Sequence, residues 1–122
     1  FEQVVRQCAM PRNGNSGTWI LPEMIEAYQQ LHRDGHAQSC EVWSGEELVG
    51  GIYGVTIGNV FCGESMFHRQ PNASKLALIS VAQSDRFDVI DCQFPSEHLL
   101  SMGAEMISRD AFVRLVKSAL AK

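Results

Sequence analysis

The chain has 122 residues, 45% of them apolar and 20% charged, and a formal net charge of -4. That is the composition of an ordinary soluble globule, large enough for one domain to bury a core without disulfide staples. It excludes a basic nucleic-acid-binding module as the whole story, and with no apolar run near the roughly 20 residues that cross a bilayer, and no charged-then-apolar leader, a membrane partner is not expected.

Val4, Val5 and Cys8 fall at helical spacing within residues 1–10, ahead of a breaker segment from Pro11 to Gly17. Pro22 and Glu23 open an amphipathic helix whose Met24, Tyr28 and Leu31 share a face and which Gly35 stops. Three strands should follow as a meander: residues 37–43, then 48–57 after the turn at Ser44 to Glu47, then 60–64 after the two-residue turn Gly58-Asn59. Asn72 is expected to cap a helix whose run Leu76-Ala77-Leu78-Ile79, apolar on nearly all sides, lies on the sheet. Phe87 to Ile90 reads as a core strand that emerges at Asp91-Cys92-Gln93. A short helix over 96–102 stopped by Gly103, an extended stretch over 105–107 and a helix from Arg109 complete an α+β arrangement.

Chemistry concentrates in two places. Asp91 and Gln93 lie two apart on one strand end and therefore share a face, with Cys92 pointing the other way. Glu64 interrupts the apolar and small-residue run Phe61-Cys62-Gly63-Glu64-Ser65-Met66-Phe67, where a charge is costly unless it is paired or faces a cavity. The four cysteines (Cys8, Cys40, Cys62, Cys92) are widely spaced with no C-x-x-C pair, as suits reduced thiols in a cytoplasmic protein. His36 and Cys40 have ligand-like spacing, but two residues do not make a zinc site, and no metal is expected.

Several words of the chain occur together in one family. Gly17-Thr18-Trp19-Ile20, Ser39-Cys40-Glu41-Val42-Trp43, Glu47-Leu48-Val49-Gly50-Gly51, Phe61 to Phe67, Asn72-Ala73-Ser74-Lys75 and Asp91-Cys92-Gln93, in this order, resemble the bacterial leucyl/phenylalanyl-tRNA-protein transferases from near residue 1 to about Phe112. The resemblance implies an acyl-CoA N-acyltransferase-like fold, an antiparallel-rich mixed sheet flanked by helices. It also implies that residues 1–122 are a single aminoacyltransferase catalytic domain, with the N-terminal domain of the family absent. The implied reaction moves leucine, or phenylalanine or methionine, from an aminoacyl-tRNA to the α-amino group of a protein beginning with Arg or Lys and so marks it for degradation. The donor is an activated ester, so no nucleophile of the enzyme and no cofactor is needed. Holding amine and ester together supplies on the order of 7 to 11 kcal/mol where alignment is good.

On this resemblance Asp91 orients and deprotonates the incoming amine and Gln93 is its relay or positioning partner. An ordinary Asp, with a pKa of about 4, anchors a cation more readily than it removes a proton. Ile52, Phe61, Met66, Leu78 and Ile90 are the expected wall of an apolar slot for the donor side chain, lined also by Glu64. Trp19 is placed to stack on the terminal adenine. Ser96 stands where an Asn-type amide is expected and can donate one bond to an oxyanion. Val81 replaces a larger aromatic of the best-known member, and the loop before the Asp91 strand is a few residues short. No basic cluster is visible, so most neutralisation of tRNA phosphates should come from the missing domain. Two alternatives remain: an acyl-CoA-dependent N-acetyltransferase, disfavoured because the junction His68-Arg69-Gln70-Pro71-Asn72 lacks the Gly-rich loop that cradles a pyrophosphate, and a non-catalytic binding module derived from the transferase.

Overall fold

Apolar residues three and four apart give way, after Gly35, to β-branched, aromatic and glycine residues, and the backbone changes from helix to sheet at that point. The computed structural model describes residues 1–10, 20–92 and 97–120. Its elements are α1 (Glu2–Cys8), α2 (Pro22–Arg33), β1 (Ala37–Ser44), β2 (Glu47–Ile57), β3 (Val60–His68), α3 (Ala73–Gln83), β4 (Val89–Asp91), α4 (Glu97–Ser101) and α5 (Arg109–Leu120). The segment from Pro11 to Gly17 and the candidates Trp19, Gln93 and Ser96 lie outside the described residues.

Gly35, at φ 84, ends α2 by letting the His36 N–H reach back to the Leu31 carbonyl at 2.8 Å. Gly58, at φ 56, makes the tight turn between β2 and β3. The sheet order is β1-β2-β3-β4. The first three strands are antiparallel, and β4 runs parallel to β3, which requires a crossover that α3 supplies. The described structure is thus α+β, with a four-strand mixed sheet flanked by helices.

Each face of the sheet has its own core. Val4, Val5, Cys8 and Ile25 from α1 and α2 close over Leu48, Tyr53 and Phe67 on one side. Ala77, Leu78 and Val81 of α3 close over Ile52 and Phe61 on the other. The helix approaches so closely that a Cβ at Gly50 would stand 2.5 Å from that of Ala73. Only glycine leaves room for that contact.

Several expectations need correction. The third strand does not end at Glu64 but pairs with β2 as far as His68, opposite Gly50. The run Leu76 to Ile79 does pack on the sheet, but through one side only: Leu76 is 51% and Ile79 38% exposed. A helix lying on one face of a sheet buries a single stripe, here Ala73, Ser74, Ala77, Leu78 and Val81. Asn72 does precede α3, yet at φ 69 and with no side-chain capping bond. The last strand is a half-buried, three-residue strand at one edge of the described sheet rather than a core strand.

Candidate active site

The pairing of β2 with β3 is broken once. Tyr53 faces Ser65 and Gly54 faces Gly63, so Glu64 is the extra residue of a β-bulge. A bulge kinks its strand and re-aims a side chain, and bulges concentrate beside active sites. Beside it, β3 and β4 stay paired only from Val60↔Val89 to Cys62↔Asp91. Beyond Asp91 no pairing to β3 is formed among the described residues, and a cavity of about 100 Å³ opens there.

Its apolar wall comes from five elements: Ile52 of β2, Met66 of β3, Leu78 of α3, Ile90 of β4 and Leu99 of α4. Gly63, Glu64, Ser65, Asp91 and Cys92 complete the lining. A dry cavity of roughly 150 Å³ admits benzene, so this one has the scale of a single aliphatic side chain and not of a nucleoside. Parity along β4 separates the roles. Ile90 pairs with Phe61 and joins the α3 side, whereas Asp91 pairs with Cys62 and directs its side chain to the opposite face. The Asp91 carbonyl lines the gap: a Cβ built on Gly63 would stand 3.5 Å from it.

Two acidic residues, Glu64 and Asp91, belong to the lining of this slot. Burial first, and then the field of Asp91 followed by that of Glu64, push the Cys62 thiol up from its ordinary range. Burial and then Asp91 do the same to Cys92. Both thiols are therefore held protonated at neutral pH, so a thiolate nucleophile beside Asp91 is disfavoured. Among the described residues, no three His, Cys, Asp or Glu side chains converge as a metal site. No described helix is long and apolar enough to cross a membrane.

Of the residues expected from the sequence, the fold brings Ile52, Glu64, Met66, Leu78, Ile90 and Asp91 around one cavity. Phe61 is not in its lining. It is 2% exposed and sits beneath, stacked at a tilt against Phe87 with centroids 5.3 Å apart. Val81 is likewise core, packed with Ile52 and Phe61. Trp19, Gln93 and Ser96 cannot be placed relative to the cavity, being outside the described residues. Sequence reasoning missed Gly63, Ser65, Cys92 and Leu99 as lining. Gly63 alone carried a usable signal, since a glycine inside a strand marks a bulge or a close approach.

Residues 1–117 match the family described as leucyl/phenylalanyl-tRNA protein transferase. A leucyl/phenylalanyl-tRNA--protein transferase of Chromobacterium violaceum is 52% identical over 120 residues, covering 96% of this chain and 52% of the relative. One from Shewanella pealeana is 54% identical over 119 residues, 95% of this chain and 50% of the relative. One from Legionella pneumophila is 49% identical over 123 residues, 98% of this chain and 55% of the relative. The chain therefore spans about half the length of the curated relatives it matches. A match over nearly all of its residues, at about half identity, means that this chain belongs to the leucyl/phenylalanyl-tRNA-protein transferase family.

Proposed function

We propose that the chain is the catalytic portion of an aminoacyltransferase that moves leucine, or a similar apolar amino acid, from aminoacyl-tRNA to the N-terminal α-amino group of proteins beginning with Arg or Lys. The observation that carries this reading is the small apolar cavity whose lining includes two acidic residues, Glu64 on the bulge and Asp91 at the end of β4. The slot takes the donor side chain through Ile52, Met66, Leu78, Ile90 and Leu99. Its size suits leucine and methionine, and it separates side chains differing by one methylene by roughly 1 to 3 kcal/mol. Phe61 contributes as the floor under Ile52 rather than as a contact.

In the mechanism, the donor ester is already activated, so catalysis consists of positioning and proton management. Asp91 holds the acceptor ammonium electrostatically and receives its proton as the amine attacks the ester carbonyl. The new C–N bond forms as the ester C–O bond breaks, and the tRNA 3′-oxygen leaves as a hydroxyl carrying the second proton of the amine. Gln93 orients that exchange, Ser96 donates to the oxyanion and Trp19 stacks on the terminal adenine, as their positions in the family's motifs suggest. No metal and no cofactor takes part. Around the sheet we infer an acyl-CoA N-acyltransferase-like fold and a cytoplasmic site of action. With a charge of -4 on this chain, the neutralisation of tRNA phosphates falls to the part of the family's length that this chain does not span.

The test is transfer of labelled leucine to a peptide starting with Arg, from leucyl-tRNA and separately from leucyl-adenosine. Turnover of the short donor supports a catalytic core. No product from either donor with folded protein would refute transfer and favour a binding module.

A further inference from the structure

The cavity beside β3 and β4 holds about 100 Å³. A benzene ring needs roughly 150 Å³, so a phenyl side chain finds the slot short by about 50 Å³ unless one wall gives way. Most of the apolar wall is fixed by the body of the fold. Ile52 is 2% exposed and pairs across the sheet with Met66, Leu78 is 7% exposed on α3, and Ile90 is held in the parallel ladder against Phe61. Enlarging the slot through any of these means moving the sheet or α3, which a close-packed core resists.

Leu99 is different. It is half-buried and comes from α4, a helix of 5 residues outside the sheet. Leu99 and, just after the helix, Met102 pack against the α3-side core, while Leu100 is 42% exposed. Backbone geometry sets where Leu99 stands. Gly103, at φ 100, closes the helix: the Ala104 N–H donates to the Leu99 carbonyl at 3.1 Å and the Gly103 N–H to the Leu100 carbonyl at 3.1 Å, the paired bonds of a Schellman end. The residue whose side chain lines the slot is therefore also the one on which the helix end is anchored.

We propose that Leu99 is the specificity-determining residue of the slot: positioned by the Gly103 turn, its side chain closes the slot at the size of leucine or methionine and turns phenylalanine away. Cutting it back to alanine removes three carbons, each with about a water's share of roughly 30 Å³, which together exceed what a phenyl ring lacks. The chain is thus selective for leucyl and methionyl donors within a family whose relatives are named for both leucyl and phenylalanyl transfer. The inference rests on the cavity being the donor slot.

The experiment compares the wild type with Leu99→Ala, Leu99→Met and Gly103→Ala, each checked for its fold by circular dichroism. It measures the Kd of the non-hydrolysable 3′-leucylamido- and 3′-phenylalanylamido-adenosines, and kcat/KM for transfer from leucyl-, methionyl- and phenylalanyl-adenosine to a peptide starting with Arg. The wild type should favour the leucyl and methionyl compounds over the phenylalanyl ones by roughly 10- to 200-fold. Leu99→Ala should erase that preference, gaining about tenfold with phenylalanine and losing about tenfold with leucine. Leu99→Met, which conserves volume, should keep it. Gly103→Ala places a methyl where nothing stands within 4 Å, so it acts through backbone strain at a positive φ; it should weaken the preference by displacing α4 while leaving the lining residues unchanged. A wild type that accepts leucine and phenylalanine equally, a folded Leu99→Ala that keeps the wild-type preference, or a Gly103→Ala with undiminished preference would overturn the proposal while leaving the donor slot standing. A folded wild type that binds neither analogue and transfers no amino acid would instead overturn the slot, and the role of Leu99 with it.

Discussion

Gly63→Ala should make this protein more stable and at the same time slow the proposed leucine transfer. The backbone at Gly63 does not lie in the left-handed region, so alanine is not strained there. Its Cβ would stand 3.5 Å from the Asp91 carbonyl oxygen, 3.8 Å from Ile52 Cδ1 and 3.9 Å from Phe61 Cε1, all ordinary contact distances. Removing a glycine's freedom from the unfolded chain contributes about 0.4 to 1 kcal/mol, and burying one methyl about 0.8 kcal/mol. The sum, about 1 to 2 kcal/mol, should raise Tm by several degrees in a domain of this size. The new methyl takes up about the volume of a water, roughly 30 Å³, in a cavity of about 100 Å³. One methylene in such a slot alters recognition by about 1 to 3 kcal/mol, so kcat/KM for a leucyl donor should fall roughly 10- to 200-fold, with an alanyl donor affected less. Calorimetry and steady-state transfer from aminoacyl-adenosines decide it. A raised Tm with unchanged leucine transfer would refute the slot; a lowered Tm would refute the packing around Gly63.

Asp91→Asn should reduce transfer about 10²- to 10⁴-fold with the circular dichroism spectrum intact. It should also make the Cys62 and Cys92 thiols more acidic, since both now feel the Asp91 charge; near-normal turnover would remove both roles assigned to this carboxylate. Gly54→Ala should destabilise by at least about 1 to 3 kcal/mol, because its Cβ would stand 2.7 Å from Phe61 Cζ and closer still to the Cys62 carbonyl oxygen; urea denaturation with an unchanged midpoint would contradict the close β2–β3 approach. Burial lifts the thiols of Cys40, Cys62 and Cys92 and the phenols of Tyr28 and Tyr53 above their ordinary ranges. The folded state thus holds these protons more tightly than the unfolded one, a contribution intact below the unfolded thiol value of about 8.5 and lost as pH rises through the folded values. The urea midpoint should therefore fall progressively above about pH 8.5, and a flat profile to pH 10.5 would contradict the burial of these groups.

The amino-acid sequence determined the elements and much of the site because both depend on local signals. Pro22, Gly35 and Gly58-Asn59 mark helix and turn ends through backbone dihedrals that only a few residue types favour. The family words that contain Glu64 and Asp91 are contiguous, so their resemblance is readable without a fold. Six expected site residues do line one cavity, although they come from β2, β3, α3 and β4.

What only the tertiary structure decided is how those segments meet. Alternation alone does not reveal that β3 continues to His68 or that Glu64 is the extra residue, because a bulge exists only relative to the opposing strand. Leu76 and Leu78 read alike in sequence, yet one faces solvent and the other the cavity, since helix periodicity does not say which stripe meets the sheet. Phe61 belongs to the floor and Leu99 to the wall because of the crossover that sets β4 beside β3 and brings α4 after it.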